Sequence, residues 1–280
     1  MKKGKVIMIT GASKGFGFEM VRAALANNDR VIATVRKEPE KLYQSFDYNP
    51  DLFIVTMDVT REDTVKTAVQ SALGRFGTID TLINNAGYGL IGAVEEASDA
   101  EVRKQYDTNV FGLINVIRAV LPVMRQNKSG HIINISSLFG YDAVAGWTIY
   151  SSTKFAVEGI STGLAKELSP LGIRVTALAP GLFSTDFLGK SSFSESKRII
   201  PEYAETVGQV RQRISGHHGN QPGDPRKLAE LAISITHIDE PPLHLLAGKD
   251  AIDWVQNAAA KTADEIEKWR DISSSMNHDL

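Results

Sequence analysis

Short apolar runs rich in β-branched residues recur along the chain at Val6–Ile9, Val31–Val35, Leu52–Thr56, Thr81–Ile83, His131–Ile135 and Arg174–Leu178. They are near-continuously apolar, as strands are when helices cover both faces of their sheet. Between them, residues 15–27, 62–75, 99–126 and 148–168 repeat apolar positions with the period of an amphipathic helix. Short strands alternating with helices predict βαβ units and a parallel sheet. The expected fold class is α/β, a doubly wound parallel sheet of about seven strands.

The pattern changes after Pro180-Gly181. Residues 184–223 are richer in Ser, Gly, Gln, Arg and His and show little strand periodicity, which reads as a lid-like excursion carrying a helix or two. Asp224-Pro225 offers an N-cap followed by proline at the first helical position, opening a helix to about Ile235. Pro241-Pro242 breaks the chain, Leu243–Ala247 reads as a last strand, and Asp250–Asp271 as an added, charged C-terminal helix. Residues 272–280 are expected to fray. No repeat or low-complexity linker divides the chain, so one domain over 1–280 is expected.

Composition narrows the function classes. The chain has 280 residues, 42% of them hydrophobic, enough to bury a substantial core. A formal net charge of −2 gives no basic field for nucleic acid. There is no cysteine, which excludes disulfides and thiolate–metal sites. The apolar run after the N-terminal lysines is short and leads straight into Gly-rich sequence, and no apolar stretch approaches the ~18 residues of a membrane span. A soluble, cytoplasmic protein without a membrane span is expected.

The chemistry-bearing residues lie at the ends of the strand runs. Thr10-Gly11-Ala12-Ser13-Lys14-Gly15-Phe16-Gly17 follows the first strand and opens the first helix. Glycines there permit a tight turn and close approach to a pyrophosphate, and a helix N-terminus supplies free N–H groups. The spacing is Gly-x-x-x-Gly-x-Gly. Arg36 ends the second strand where NAD binders carry an acid for the ribose hydroxyls. With Lys14 it favours a 2′-phosphate, hence NADP(H). Asp58-Val59 and Asn84-Asn85-Ala86-Gly87 end the third and fourth strands, where a helix cap and an ordinary turn are the plain readings. Asn109 falls inside a helix pattern, a mildly unfavourable place. Tyr150 and Lys154 share one helix face, with Ser137 upstream at a strand end. A tyrosine has a pKa near ~10, and a neighbouring cation favours its phenolate.

Taken in order, these segments resemble the short-chain dehydrogenase/reductase family in its compact single-domain branch, from residue 5 to about 185. The resemblance implies a Rossmann-like fold and hydride transfer between NADP(H) and a carbonyl or alcohol carbon. It places Asn109, Ser137, Tyr150 and Lys154 on the catalytic tetrad. It assigns cofactor contacts to Gly11, Ser13, Lys14, Gly15, Phe16, Gly17, Arg36, Asp58, Val59, Asn85, Ala86, Gly87, Tyr150, Lys154, Pro180, Gly181, Phe183 and Thr185. Ser137 would hydrogen-bond the substrate oxygen and Tyr150 would deliver the proton. Lys154 would lower the Tyr150 pKa and bind the nicotinamide ribose. Asn109 would hold a water that relays protons from Lys154. The family also implies a homodimer or homotetramer.

Phe16 stands where Ile or Leu is commoner, and the C-terminal third departs from the family pattern. Candidate walls for an apolar or ring-bearing substrate are Tyr88, Leu138, Phe139, Tyr141, Trp147, Leu182, Phe183, Phe187 and Phe193. Lys190, Lys197, Arg198, Arg211 and Arg213 read as solvated charges. His217-His218 has no accompanying carboxylate–histidine motif, so no metal is expected. The rival readings are a catalytically silent NADP(H)-binding regulator or scaffold, and a sugar-nucleotide epimerase or dehydratase. The latter class favours a different glycine spacing.

Overall fold

Strand side chains point alternately to the two faces of a sheet, so a strand covered on both faces is apolar throughout. β1 (Val6–Ile9) is buried at every residue. Val6 and Met8 join one core cluster, Ile7 and Ile9 the other. The computed structural model describes residues 4–184, 193–216, 221–276 and 278. In chain order the further strands are β2 (Arg30–Val35), β3 (Leu52–Thr56), β4 (Thr81–Asn84), β5 (Gly89–Ile91), β6 (Gly130–Ile135), β7 (Ile173–Pro180), β8 (Phe193–Glu195) and β9 (His244–Ala247). A seven-stranded sheet has the order β3-β2-β1-β4-β6-β7-β9, and every pairing in it is parallel. The winding direction reverses between β1 and β4. Loops leaving neighbouring strands in opposite directions open a crevice at their C-terminal ends.

The helices are α1 (Gly15–Ala26), α2 (Pro39–Ser45), α3 (Glu62–Phe76), α4 (Asp99–Tyr106), α5 (Gly112–Asn127), α6 (Thr148–Leu168), α7 (Gln209–Gly216), α8 (Pro225–Ser234), α9 (Lys249–Lys268) and α10 (Arg270–Ser274). Val65 and Val69 of α3, Val116 and Val120 of α5 and Val157 of α6 bury one face of the sheet with Met8 and Leu82. Met20, Val21 and Ala24 of α1 and Leu228 and Ala232 of α8 bury the other with Ile7, Ile9 and Ile83. This is the doubly wound, Rossmann-like α/β arrangement expected from the strand and helix periods.

Four local features differ from the sequence expectation. Residues 99–126 are not one regular helix: α4 starts at a Ser98–Glu101 capping box, and a π-helical turn at Asp107–Phe111 separates it from α5. That turn carries Asn109. α2 escapes periodicity because it is short and its first turn holds Pro39. β5 and β8, three residues each, pair parallel to one another outside the main sheet. The tail remains helical through Ser274 rather than fraying from Ile272.

The helical run Asp99–Asn127 contains an 18-residue window of mean hydropathy 1.2. Its residues Leu113, Val116, Ile117 and Val120 are buried against the sheet.

The segment that carries β8 and α7 is fastened to the rest of the chain at β5/β8 and by an ion pair. Arg211 of α7 reaches Glu96 at 2.7 Å, with side-chain exposures of 12% and 0%. Glu96 also accepts the N–H groups of Ala93 at 2.8 Å and Ile200 at 2.9 Å. Burial pushes the Glu96 carboxyl up, but the Arg211 and backbone hydrogen bonds outweigh it and hold it at about 2. Arg211 is therefore not a solvated charge, because its guanidinium neutralises a carboxylate that the sequence hides among many acidic positions.

Candidate active site

The glycine loop lies at the C-terminal end of β1, inside the crevice. Gly11 and Gly15 have φ of +67° and +56°, a region that favours glycine. A β-carbon on Gly17 would lie 2.4 Å from the Gly11 carbonyl oxygen and 2.7 Å from Asn85 Nδ2, so this position admits no side chain. Lys14 occupies the N-cap of α1 without a side-chain cap. The first-turn amides and the positive end of the helix dipole are thus available to an anion. Phe16 packs edge-on against Phe183 at 5.5 Å, which places the Phe183 ring beside the loop rather than in the pocket.

Asn85 stitches this loop to the end of β4. Its Nδ2 donates to the carbonyls of Thr10 at 2.9 Å and Gly11 at 3.1 Å, while the N–H groups of Asn85 and Ala86 donate to Thr10 Oγ1 at 2.9 Å each. Asp58 is not the cap of α3, whose N-cap is Arg61. Its Oδ1 accepts the Thr60 N–H at 3.0 Å and the Thr60 hydroxyl at 2.8 Å. Val59 is buried, and its carbonyl accepts from Asn115 Nδ2 at 3.1 Å. Arg36 is exposed just past β2. Pro180 ends β7, and the Gly181 N–H donates to Ala247 of β9 at 2.9 Å. Thr185, Phe187, Lys190 and His217-His218 lie outside the described residues.

Ser137 follows β6 and turns back on itself, its hydroxyl accepting the Phe139 N–H at 3.2 Å. The Tyr150 phenol, from the first turns of α6, is hydrogen-bonded to the Ser137 side chain. Both residues are buried. One helical turn on, Lys154 Nζ lies 5.6 Å from the Tyr150 ring centroid and donates to the Ile135 carbonyl at 2.8 Å. Burial pushes the Tyr150 phenol above the ordinary tyrosine range, partly offset by the Ser137 hydrogen bond. Burial also lowers the Lys154 amine to about 8, with nearby Glu158 opposing. Burial thus opposes the expected depression of the Tyr150 phenol by Lys154. The ammonium is turned to a backbone carbonyl, and desolvation of the phenolate wins.

Asn109 joins the site from the π-helical turn. Its Nδ2 donates to the Tyr88 carbonyl at 3.0 Å and to Thr153 Oγ1 at 3.2 Å, and its Oδ1 accepts the Tyr88 N–H at 3.1 Å. The side chain thus ties the β4–β5 connection to α6, with both amide protons committed. Any water relay at Asn109 requires another of its atoms.

Of the proposed wall residues, Phe139, Trp147 and Phe193 gather around Tyr150 with Ile91 and Val144. Trp147 and Phe139 stand edge-on to the Tyr150 ring at 5.5 and 6.3 Å. Tyr141 turns elsewhere, its hydroxyl meeting Glu158 at 3.0 Å and His244 at 3.1 Å. Leu182 is exposed, and Tyr88 is partly buried, with its N–H and carbonyl bonded to Asn109. Sequence reasoning missed Trp254, whose ring lies 6.0 Å from Phe139, and Asp250, which accepts the Leu182 N–H at 2.6 Å. Among the described residues no group of three or more His, Asp or Glu side chains is placed to share a metal ion.

A glycine cradle at a strand–helix turn, beside a buried Ser–Tyr pair with a lysine one turn along, is the layout of a dinucleotide-dependent oxidoreductase. The model of the short chain dehydrogenase family matches residues 5–195. The oxidoreductase BOA17 of Botryotinia fuckeliana is 40% identical over 271 residues, covering 96% of this chain and 98% of its own. A 3-ketodihydrosphingosine reductase of Bacteroides thetaiotaomicron is 36% identical over 244 residues, 87% of this chain and 88% of its own. Among solved structures, a short-chain dehydrogenase from Streptomyces avermitilis superposes with a TM-score of 0.91 at 36% identity, covering 98% and 100% of the two chains. ElxO with NADP bound superposes with a TM-score of 0.71 at 27% identity, covering 87% and 96%. The chain belongs to the short-chain dehydrogenase family and is an oxidoreductase of that family.

Proposed function

We propose that the protein is an NADP(H)-dependent short-chain dehydrogenase/reductase that interconverts a carbonyl and an alcohol on an apolar or ring-bearing small molecule. The observation that carries this reading is the buried Ser137–Tyr150 hydrogen bond, flanked by Lys154, in a chain whose β1–α1 turn has a Gly17 with no room for a β-carbon. The cradle fits a dinucleotide pyrophosphate, which Gly11, Ser13, Gly15 and Gly17 would hold at the start of α1. The nicotinamide, when bound, supplies and accepts the hydride.

The protein's own part is orientation and proton handling. Ser137 donates to the substrate oxygen as charge develops on it. Tyr150, neutral because burial holds its proton on, delivers that proton in the reductive direction. Lys154, with an amine near 8, has a charge that responds to the site. With a nicotinamide cofactor bound, Lys154 would hold a ribose hydroxyl and its charge would steady the developing phenolate. Asn109 fixes the β4–β5 connection against α6, and so fixes the approach to Tyr150.

Preference for NADP(H) is supported by Arg36 past β2, by Lys14 at the loop, by the absence of an acid at Thr34–Lys37 and by the NADP held by ElxO. The substrate class is supported by the aromatic cluster around Tyr150 and by the Bacteroides relative, a 3-ketodihydrosphingosine reductase. Exposed Phe111, at the end of the π-helical turn, and Phe155 of α6 support self-association through that side of the molecule. Titration of nicotinamide fluorescence is expected to show tighter binding of NADPH than of NADH. Arg36→Ala is expected to weaken NADPH by about 10-fold or more, the scale of one hydrogen bond to a charged group. Tighter NADH binding, or an unchanged NADPH affinity in the variant, contradicts the cofactor assignment.

A further inference from the structure

α9 begins directly after β9, at the edge of the sheet where the site lies. Its first turn is locked to the turn after β7: the Asp250 carboxylate accepts the Leu182 N–H at 2.6 Å, and a β-carbon on Gly181 would collide with that carboxylate. One helical turn on, Trp254 stands edge-on to Phe139 at 6.0 Å. Phe139 in turn stands edge-on to Tyr150 at 6.3 Å, and its N–H donates to Ser137 Oγ. Trp254 is therefore two ring contacts from the proton donor, on a helix beyond the residues that the family model matches.

The Trp254 indole N–H is buried, and no hydrogen-bond partner for it exists among the described residues. Buried indole donors ordinarily find an acceptor. The reacting oxygen belongs to Ser137 and Tyr150, with Phe139 lying between them and Trp254. We infer that Trp254 is a specificity-determining residue, whose ring extends the aromatic wall and whose N–H donates to a second oxygen of the substrate. The inference rests on the carbonyl reduction proposed above. It sharpens the substrate class to an apolar or ring-bearing carbonyl compound that carries an acceptor oxygen away from the reacting carbon.

The test uses matched pairs of aryl alkyl ketones in which an ether oxygen replaces one methylene, moved along the chain, assayed with NADPH. Wild type is expected to favour at least one ether over its methylene twin by about tenfold in kcat/KM, expressed in KM, the scale of one neutral hydrogen bond. Trp254→Phe is expected to abolish that preference, the ether losing about tenfold more than its methylene twin. An ether preference that survives in Trp254→Phe, or no ether preference in wild type, overturns the inference.

A readout independent of turnover is the indole N–H resonance of 15N-tryptophan-labelled Tyr150→Phe protein with NADPH, identified by its loss when Trp254→Phe is added. It is expected to move downfield on adding the ethers and not the methylene twins; a resonance that stays still overturns the inference. Failure of the carbonyl-reduction reading looks different: the ethers shift the resonance while wild type oxidises no NADPH with any ketone.

Discussion

The C-terminal ends of the central strands β1, β4 and β6 and the segment from β8 to α9 are built by different means. At those strand ends, function is specified locally. Gly17 is a glycine because the Gly11 carbonyl leaves no room for more, and Tyr150 meets Lys154 because a helix repeats its face every four residues. From β8 to α9 the structure is held by contacts between distant parts of the chain: Glu96 with Arg211, Phe139 with Trp254, Leu182 with Asp250. A fixed chemistry can be written in short motifs, whereas a substrate-fitting wall is assembled from whatever residues the fold brings over the site.

The largest effect falls on the local side. Tyr150→Phe is expected to lower kcat by about 10³–10⁴-fold, the scale of a lost general acid, with NADPH affinity unchanged. Turnover within tenfold of wild type removes Tyr150 from the chemistry. On the other side, Glu96→Gln strands Arg211 in a buried place, which costs about 3–5 kcal/mol. The cost is expected locally, as faster amide hydrogen exchange in β8 and α7 with the β1–β4 core still protected. Uniform loss of protection across the chain shows instead that this segment and the rest of the chain unfold as one unit.

The smallest effect is a pH dependence. The lowered amine of Lys154, about 8 against an unfolded value of 10.5, means that the folded chain holds fewer protons between those values. Stability therefore rises with pH through that window. Activity moves the other way, because the cation that steadies the phenolate is lost: kcat/KM for NADPH is expected to fall above a break near 8. A profile flat through that region separates Lys154 protonation from the chemistry.

The main sheet was legible in the sequence because its strands are largely apolar on both faces; Ser137 stood out at a strand end and Tyr150 with Lys154 on one helix face, and their roles, with that of Asn109, come from the family resemblance. The π-helical turn at Asn109 was not legible as such. Periodicity runs through it, and the mild cost of Asn inside a helix was its one trace. The direction of the Tyr150 shift was misread because a nearby cation is visible in sequence and burial is not. Arg211 and Trp254 were hidden for a related reason. A charge in a polar stretch and a tryptophan in an amphipathic tail look ordinary until the partner, Glu96 or Phe139, is known.

Hydride transfer to a carbonyl carbon beside Tyr150 can be followed atom by atom. Incubation with aryl alkyl ketones and NADPH carrying deuterium on its transferable C4 position tests this directly. Deuterium is expected on the carbinol carbon of the product, at a rate that Tyr150→Phe abolishes. Bound NADPH with no deuterium delivered to any ketone would contradict it and leave a nucleotide-binding protein without the reaction.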